Sequence, residues 1–395
     1  MNIHWIIFKL LDVSTNHASR TELIKEMKAR GHDVRLYCGY LDRKEPFGLG
    51  EGTIRYFDLP RIRKVRAVFY AAAVWRAILR SLLRDRPDVL LIDYTVQLIA
   101  APLLLVLRAF QRKTRIVLDI RTLPVGVRLF RWSIKAFLLS LSLARLDCDG
   151  ITFITEGMGR YCRSRVGLGR LKTAVWTSGF EPTLFDPSRY EKAPANGRFR
   201  LFYHGALCLS RGIGSLILAA KALEEKGLPV DLTLIGSLID RRELLALVEE
   251  NGLQATCRVL PPVPYEQVPA LIMACDLPVI PFPDFVAWRV SSPIKLLEYM
   301  AMGKSMVVTD IDAHRDVLGD ADFAFYAGDS APESLVEAIE RAYERRDDLE
   351  RLGRRARAMA LADFTWGRQA ERLLGFFRSL DGRDAMPQAK TQVRS

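Results

Sequence analysis

Two charged residues in the second half of the chain have the type and spacing needed to hold a phosphorylated ligand. Lys295 and Glu298 lie three residues apart in the segment SSPIKLLEYMAMGKSMVVTD, so on a helix they share one face. Ser291 and Ser292 open a loop, and Pro293 is typical of the first helical turn, where free N–H groups attract anions. A lysine in that turn opposes the helix dipole, which a bound phosphate would offset. The Glu298 carboxylate can accept two hydroxyl hydrogen bonds, as from a ribose; the alternative is an ordinary capped helix.

A second segment, LFYHGALCLSRGIGSLILAAKAL, runs from a strand through a loop into a helix. Gly205 ends the strand, and a glycine at this place lets a ligand approach the backbone. Arg211 precedes Gly212 in the loop and can form two parallel hydrogen bonds to a diphosphate. Together with Lys295 it would balance the charge of that group. The alternative is a surface arginine after a turn.

The elements that must position these residues alternate between strands and helices. Strands are predicted at residues 3–11, 33–38, 89–92, 115–118, 150–155, 199–203, 231–235, 258–260, 277–280 and 305–309. Helices are predicted at residues 21–30, 214–226, 241–251, 295–302 and 333–345. A linker rich in proline and charge, residues 185–197, separates two such series. This pattern predicts an α/β fold of two doubly wound Rossmann-like domains facing across a cleft, with the ligand at the carboxyl ends of the strands.

The segment around Lys295 resembles the C-terminal signature of the family 4 retaining glycosyltransferases, which have the GT-B fold. A bacterial subgroup of that family carries Pro-x-Lys-x-x-Glu/Asp-Tyr-Met-Ala, and this chain follows it at Pro293, Lys295, Glu298, Tyr299 and Ala301. In the family the second glutamate of the motif binds the donor ribose, which implies that role for Glu298. The first glutamate would fall at residue 290, where this chain has valine.

The Gly205–Gly212 region resembles the family's Gly-Arg-Leu…Lys-Gly segment, with Arg211 in place of the lysine and Ala206 in place of the arginine. The resemblance implies that Arg211 and Lys295 act catalytically by stabilising the leaving diphosphate. It implies a donor-binding set of Gly205, Gly212, Ser291, Ser292 and Glu298. It also implies a nucleoside diphosphate-sugar as the donor substrate, with no bound cofactor and no metal.

The first half resembles the family more loosely. Its loop and helix from residue 12 to residue 34 resemble the family's glycine-rich loop, with Asn16 and His17 near the place of the glycine pair. Either side chain can touch the donor phosphate or the acceptor from across the cleft; the alternative is a solvent-exposed loop. Arg121 follows Asp119 where the family often has a histidine that approaches the transferred sugar. Arg121 can bind an acceptor phosphate or pair with Asp119.

Composition excludes several classes of protein. The chain has 395 residues, of which 49% are hydrophobic and 26% charged, so it is globular and long enough for two domains. The uncharged apolar stretch at residues 94–107 is shorter than the roughly 20 residues that span a bilayer, so it predicts a buried helix. The first residues lack the pattern of a signal peptide. Six scattered cysteines without a CxxC pair favour a reduced, cytoplasmic protein and no zinc site.

Positive charge is concentrated in the first half. Residues 1–195 hold 33 lysines and arginines against 18 acids, whereas the remainder holds 25 against 28. Eight basic residues and one acid lie between Arg61 and Arg86, and no acid lies between Asp119 and Asp147, a stretch that includes Arg128 and Arg145. Apolar residues recur there at helical spacing (Trp75, Ile78, Leu79 and Leu82; Phe130, Ile134, Phe137, Leu138 and Leu141), which indicates either binding to an anionic membrane or helices packed on the sheet. Nucleic acid is disfavoured, because no nucleic-acid-binding signature is present.

The family resemblance implies a retaining glycosyltransferase of the hexosyl- or N-acetylhexosaminyl-transferase type, and the charge pattern places it at the inner face of the membrane. It would transfer a sugar to a glycan or polyprenyl-linked acceptor in envelope polysaccharide or glycolipid synthesis. The predicted domains are residues 1–190, which bind the acceptor and are joined by a crossing helix at 364–380, and residues 197–363, which bind the donor, followed by a disordered tail at 381–395. Two alternatives stay open: a GT-B sugar-nucleotide epimerase or hydrolase, and a non-catalytic scaffold.

Overall fold

The computed structural model describes residues 1–11, 17–40, 47–110, 113–124, 130–194 and 196–381, with the backbone alone for residues 17, 18, 63, 64, 130 and 131. The chain divides into two compact units. The first comprises Met1–Thr177 and the chain from Trp366 onward, and the second comprises Ser178–Thr365. The division precedes the predicted linker at 185–197 because Phe180 and Phe185 pack into the core of the second unit. The predicted tail lies, except for its first residue, outside the described residues.

The first unit is a parallel sheet of seven strands in the order β3-β2-β1-β4-β5-β6-β7. Its strands are β1 Asn2–Leu10, β2 Asp33–Gly39, β3 Ile54–Phe57, β4 Val89–Ile92, β5 Arg115–Ile120, β6 Gly150–Phe153 and β7 Lys172–Val175. Its helices are α1 His17–Ala29, α2 Arg63–Leu79, α3 Tyr94–Phe110, α4 Phe130–Asp147, α5 Glu156–Arg165 and, at the end of the chain, α14 Trp366–Leu380. A π-helical segment, Arg80–Asp85, continues α2.

The second unit is a parallel sheet of six strands in the order β10-β9-β8-β11-β12-β13. Its strands are β8 Phe199–His204, β9 Val230–Ile235, β10 Cys257–Leu260, β11 Leu277–Ile280, β12 Met306–Thr309 and β13 Ala324–Ala327. Its helices are α6 Ile213–Glu225, α7 Arg241–Glu250, α8 Val268–Ala274, α9 Val286–Arg289, α10 Ile294–Ala301, α11 Asp312–Leu318, α12 Pro332–Glu344 and α13 Leu349–Asp363. The strand order reverses between β8 and β11, and open parallel sheets bind ligands outside the carboxyl ends of the strands at such a point.

The predicted α/β fold of two Rossmann-like domains is confirmed. Apolar runs such as Val89–Ile92 and Leu277–Ile280 are buried along their whole length, as expected for strands covered on both faces. The predicted buried helix at 94–107 is α3. The prediction did not name β3, β7 or β13, because four-residue strands at or near the sheet edges have little apolar periodicity.

The apolar stripes predicted on the basic helices of the first unit are mostly packing faces. Ile78 and Leu82 are fully or almost fully buried, as are Phe137 and Leu141. Trp75 is partly exposed and donates its indole N–H to the Ile99 carbonyl oxygen at 2.8 Å, which fixes α2 against α3. Different apolar residues face outward on these helices. Within the described part of the chain, no helix has the length and apolar character that crossing a membrane requires.

Candidate functional site

Three glycines at the carboxyl edge of the second sheet are fixed by close backbone contacts. Gly205 follows β8 with φ +124° and Gly236 follows β9 with φ +149°. A Cβ on Gly236 would lie 1.7 Å from the Gly205 carbonyl oxygen, and one on Gly212, with φ +75°, would lie 1.9 Å from the Pro281 carbonyl oxygen. Any side chain at 236 or 212 would therefore displace backbone. The two contacts hold the end of β8 and the start of α6 against the ends of β9 and β11.

Lys295 lies directly over this glycine turn. A Cβ on Gly205 would lie 3.3 Å from the Lys295 ammonium nitrogen, which itself lies 4.8 Å from the Phe282 ring centre and 5.0 Å from that of Tyr203. Lys295 is 7% exposed. Burial, and then the charge of Arg211, lower its pKa to about 7. In the described part of the chain it forms no ion pair with a carboxylate, and the charge of Glu298, which acts in the opposite direction on its pKa, offsets these effects only in part.

Arg211 places a second cation on the same aromatic ring. It ends a short 3-10 turn, Leu209–Arg211, and its guanidinium carbon lies 5.5 Å from the centre of Phe282 and 4.9 Å from that of Trp288. Trp288 donates its indole N–H to the Ser210 carbonyl oxygen at 3.1 Å, which anchors the turn. Arg211 follows β8, whereas Phe282, the ring that both cations contact, follows the neighbouring strand β11. The strand-order reversal between β8 and β11 therefore brings Arg211 and Lys295 to the same ring. Within the described residues Arg211 also has no carboxylate partner.

Glu298 belongs to a buried hydrogen-bond network. Its side chain is almost fully buried, and His204 Nε2 lies 2.7 Å from its Oε2 while the Tyr265 phenol donates to its Oε1 at 2.6 Å. The Tyr299 phenol lies 3.1 Å from His204 Nδ1 and accepts the backbone N–H of His204 at 3.2 Å. Burial raises the pKa of Tyr299 above its usual range, so its phenol stays protonated. Both oxygens of Glu298 thus have protein partners.

The serine loop before α10 is held from two sides. Ser291 donates its hydroxyl to the Trp288 carbonyl oxygen at 2.9 Å, and Ser178 contacts both the hydroxyl and the carbonyl of Ser292 at 3.2 Å. Pro293 is the residue before the helix and not part of its first turn, because its ψ of 107° is extended. No side chain of the described residues caps α10, and the Leu296 N–H donates to the Pro293 carbonyl oxygen at 3.1 Å, so the N–H groups of Ile294 and Lys295 are those that can meet an anion.

The residue that replaces the family's first glutamate is part of the core. Val290 ends the one-turn helix α9 and is 5% exposed. The carboxylate of Asp284, at the other end of α9, pairs with Arg289. The second unit therefore offers no free carboxylate at position 290 to contact a sugar ring.

In the first unit, Arg121 is engaged by its own fold. Its guanidinium carbon lies 3.3 Å from the Trp176 ring centre, and it donates to the carbonyl oxygens of Trp176 at 2.5 Å and Thr177 at 3.4 Å. Asp119 accepts instead from Thr152 at 2.8 Å and from the Trp176 indole at 3.0 Å. Burial lowers the pKa of Arg121 to about 9. Asn16 and the side chain of His17 lie outside the described residues.

The second unit therefore brings together all seven residues predicted in it. Gly205, Gly212, Arg211, Lys295, Glu298, Ser291 and Ser292 lie on the carboxyl ends of β8 and β11 or on α10 and its loop. Sequence reasoning missed His204, Tyr265, Phe282 and Trp288. His204 stands beside Gly205 in the motif, which was a signal, whereas Tyr265 reaches Glu298 from 33 residues away. No cluster of potential metal ligands occurs among the described residues.

Two family models match the chain, one in each unit. Residues 186–359 match the model of the glycosyl transferases group 1, and residues 17–178 match that of the glycosyl transferase 4-like domain. No curated protein sequence matches the chain significantly.

Solved structures of similar fold cover almost the whole chain. HepE of Anabaena in complex with UDP is 15% identical, with a TM-score of 0.75 over 96% of this chain and 100% of that one. Sucrose-phosphate synthase of Thermosynechococcus elongatus is 15% identical, with a TM-score of 0.76 and the same coverage. A glycosyltransferase of Rickettsia africae is 12% identical, with a TM-score of 0.73 over 97% of this chain and 99% of that one.

These structural neighbours establish the fold, and the two family models, which together span most of the chain, establish the activity: the chain is a glycosyltransferase with the GT-B fold.

Proposed function

We propose that this glycosyltransferase moves a sugar, with retention at its anomeric carbon, from a nucleoside diphosphate-sugar to a glycan or lipid-linked acceptor at an anionic membrane surface. A role in envelope polysaccharide or glycolipid synthesis fits such an acceptor. The second unit binds the donor and the first unit binds the acceptor. The observation that carries the proposal is the pair of carboxylate-free cations, Lys295 and Arg211, over Gly205.

The geometry of this pair suits a leaving diphosphate. In the transfer, the bond between the anomeric carbon and the diphosphate oxygen breaks, and the electron pair goes to the diphosphate. The acceptor hydroxyl oxygen bonds to the same carbon on the same face and gives its proton to the departing diphosphate oxygen. Lys295, Arg211 and the first N–H groups of α10 meet the growing negative charge from fixed positions, which is the largest contribution that such a site makes to catalysis. Glu298 orients the ribose and is not a nucleophile.

The nature of the donor has support from two neighbours of low identity. HepE of Anabaena is described in complex with UDP and with UDP-glucose, and starch synthase IV of Arabidopsis thaliana with ADP and acarbose. A nucleoside diphosphate-sugar is therefore the donor class that we propose.

The test of the donor site is a thermal-shift screen with UDP, GDP, ADP and CMP, followed by calorimetry. A nucleotide at 100 times its dissociation constant should raise stability by about 2.7 kcal/mol. Glu298→Ala and Lys295→Met should each reduce that shift. If none of the four nucleotides raised the melting temperature, the proposed donor site would be overturned. Consumption of a nucleotide-sugar at the same rate with and without acceptor would favour a hydrolase or epimerase instead.

Membrane association has support from the outer surface of α2, α3 and α4. Twelve of the twenty exposed large apolar residues of the described chain lie between Ile62 and Leu146. On α4, Trp132, Leu139 and Leu146 recur every seven residues and are 72%, 54% and 65% exposed. Exposed apolar side chains at helical spacing are expected to enter the interfacial region of a bilayer.

Charge on the same helices favours an anionic lipid surface over a protein partner. Arg76, Arg80 and Arg84 recur every four residues along α2 and the π-helical segment, and all are exposed. Arg80 pairs with Asp85, the one acid in that stretch. Lys135 and Arg145 flank the apolar line of α4, and its helix has no acid before Asp147. Each basic residue near anionic lipid contributes about 1 kcal/mol.

The membrane proposal is tested by sedimentation with vesicles of phosphatidylglycerol and phosphatidylcholine. Replacing Arg76, Arg80 and Arg84 by glutamate should weaken binding by about a hundredfold or more. The matched control replaces three exposed arginines of the second unit, Arg241, Arg242 and Arg354, by glutamate. Equal loss in both triple variants, or no loss in the first, would contradict a specific membrane face.

A further inference from the structure

Tyr265 stands where the donor would meet Glu298. We propose that Tyr265 lowers the affinity for the donor ribose. Its phenol donates to Oε1 of Glu298, the same carboxylate oxygen that would accept a hydrogen bond from a ribose hydroxyl. The inference rests on the proposed function, since it takes Glu298 as the ribose ligand. What is new is that the Tyr265 phenol competes with the donor ribose for the Glu298 carboxylate.

Glu298 is almost completely covered by protein while Tyr265 is in place. The side chain of Glu298 is 3% exposed, and each of its oxygens has a short hydrogen-bond contact, 2.6 Å to Tyr265 and 2.7 Å to His204. Each carboxylate oxygen could accept a second hydrogen bond, but with 3% of the side chain exposed a ribose can reach it only where one of the two partners moves away.

The His204 side of the carboxylate is fixed. The Tyr299 phenol accepts the His204 backbone N–H, which directs its own proton toward His204 Nδ1. A proton donated to Nδ1 leaves the ring hydrogen on Nε2, from which it reaches Glu298 Oε2. The Tyr299 side chain is fully buried and His204 stacks on Phe202 at 5.8 Å between ring centres. Displacing His204 would disturb the core beneath the site.

The Tyr265 side of the carboxylate is the one that can yield. Tyr265 is 43% exposed and belongs to a three-residue 3-10 turn that follows Pro264. One edge of its ring packs against the buried Phe185, with 5.6 Å between ring centres, and rotation would give up this contact. Rotation about its two side-chain bonds takes the phenol into solvent, where water replaces the lost hydrogen bond. Donor binding then exchanges a tyrosine hydroxyl for a ribose hydroxyl at Oε1, and His204 keeps Oε2 in place.

The variant Tyr265→Phe removes the competing hydroxyl and leaves the ring. Calorimetry with UDP, GDP and ADP should show, for the nucleotide that binds, a dissociation constant about fivefold lower than that of the unaltered protein. The matched control is Tyr190→Phe, which removes one phenol hydrogen bond, to the Leu184 carbonyl oxygen, in the same unit. We expect no change in nucleotide affinity for the control.

Thermal unfolding separates competition from a new contact. The nucleotide-free Tyr265→Phe protein should melt at a lower temperature than the unaltered protein, because Glu298 Oε1 loses its partner. At saturating nucleotide the two melting temperatures should coincide. In a Glu298→Ala background, Tyr265→Phe should leave the dissociation constant unchanged, since the contested oxygen is absent.

Unchanged or weaker nucleotide binding by Tyr265→Phe would overturn this inference. If Glu298→Ala still weakened binding in that case, the proposed donor site would stand without it. If Glu298→Ala bound nucleotide as tightly as the unaltered protein, both the ribose role of Glu298 and the competition for it would be overturned.

Discussion

Each unit has a buried cation at the carboxyl edge of its sheet, Arg121 in the first and Lys295 in the second, but the two cations have different partners. In the first unit Arg121 stacks on Trp176 and donates to two carbonyl oxygens of its own chain. In the second unit Lys295 and Arg211 share an aromatic ring and have no carboxylate partner among the described residues. The number of cations at a strand end therefore does not by itself identify an anion site. Under the proposed function, the second unit binds the diphosphate because its two cations are not already paired with carboxylates of the protein.

The largest effect is expected from Lys295→Met, which removes the charge and keeps most of the side-chain volume. Loss of one cation at the leaving diphosphate should lower kcat/KM about 100- to 1,000-fold. The matched control is Lys304→Met, because Lys304 is partly buried and donates to the carbonyl oxygens of Met273 at 3.0 Å and Cys275 at 2.6 Å. The control should be less stable yet bind nucleotide normally. Activity of Lys295→Met within about twofold of the unaltered protein would remove Lys295 from the site.

The pH dependence of nucleotide affinity should show whether the charged form of Lys295 binds the diphosphate. Burial and Arg211 hold the pKa of Lys295 near 7 in the free protein, and a bound diphosphate raises it by stabilising the charged form. Affinity should therefore fall as pH rises above about 7, by up to about tenfold per pH unit, because binding then requires proton uptake. Calorimetry from pH 7 to pH 9 measures this slope. Lys295→Arg, which stays charged, should show a flat profile; a flat profile in the unaltered protein would contradict the assignment.

A smaller effect should come from Arg211→Lys. The charge is kept, but the paired N–H groups that suit a diphosphate are lost, as is the planar contact with Trp288. We expect about a tenfold rise in the nucleotide dissociation constant, measured by calorimetry. Equal affinity would mean that Arg211 acts as a point charge alone.

The smallest effect on donor binding should come from Arg121→Met in the first unit. Loss of two hydrogen bonds to carbonyl oxygens and of the Trp176 contact should lower the free energy of unfolding by about 2 kcal/mol. The nucleotide dissociation constant should not change, which denaturation and calorimetry together would establish. A selective rise in the KM for acceptor would instead support the phosphate-binding role predicted from the sequence.

The sequence predicted the second unit better than the first, and the reason is physical. A backbone contact or a helix start restricts the residue type at Gly205, Gly212 and Lys295. Such local restrictions produce a pattern that can be recognised in the sequence. The hydrogen-bond partners of Glu298 cannot be recognised from a local sequence pattern. His204 and Tyr265 reach it from 94 and 33 residues away, through a strand order that a linear pattern does not specify.

The basic helices of the first unit show the same limit. Helical spacing identified their apolar residues, but it did not reveal which face met the sheet. Ile78 and Phe137 are buried, whereas Trp132 and Leu139 face outward. An amphipathic pattern shows that one face is apolar; when both faces carry apolar residues, only the packing decides which one is exposed.

The way in which the chain enters and leaves the second unit has an evolutionary consequence. Phe180 pairs with Thr365 in an isolated parallel bridge, and the Phe180 N–H donates to the Phe364 carbonyl oxygen at 3.1 Å. The segments at the two ends of the unit are therefore side by side, and the unit is an insertion between Thr177 and Trp366. A gene that exchanged this segment for a homologous one would need to preserve one short junction. If the second unit binds the donor, as proposed, donor specificity can be exchanged as one segment while the first unit, with its helices α2 to α4, is inherited unchanged.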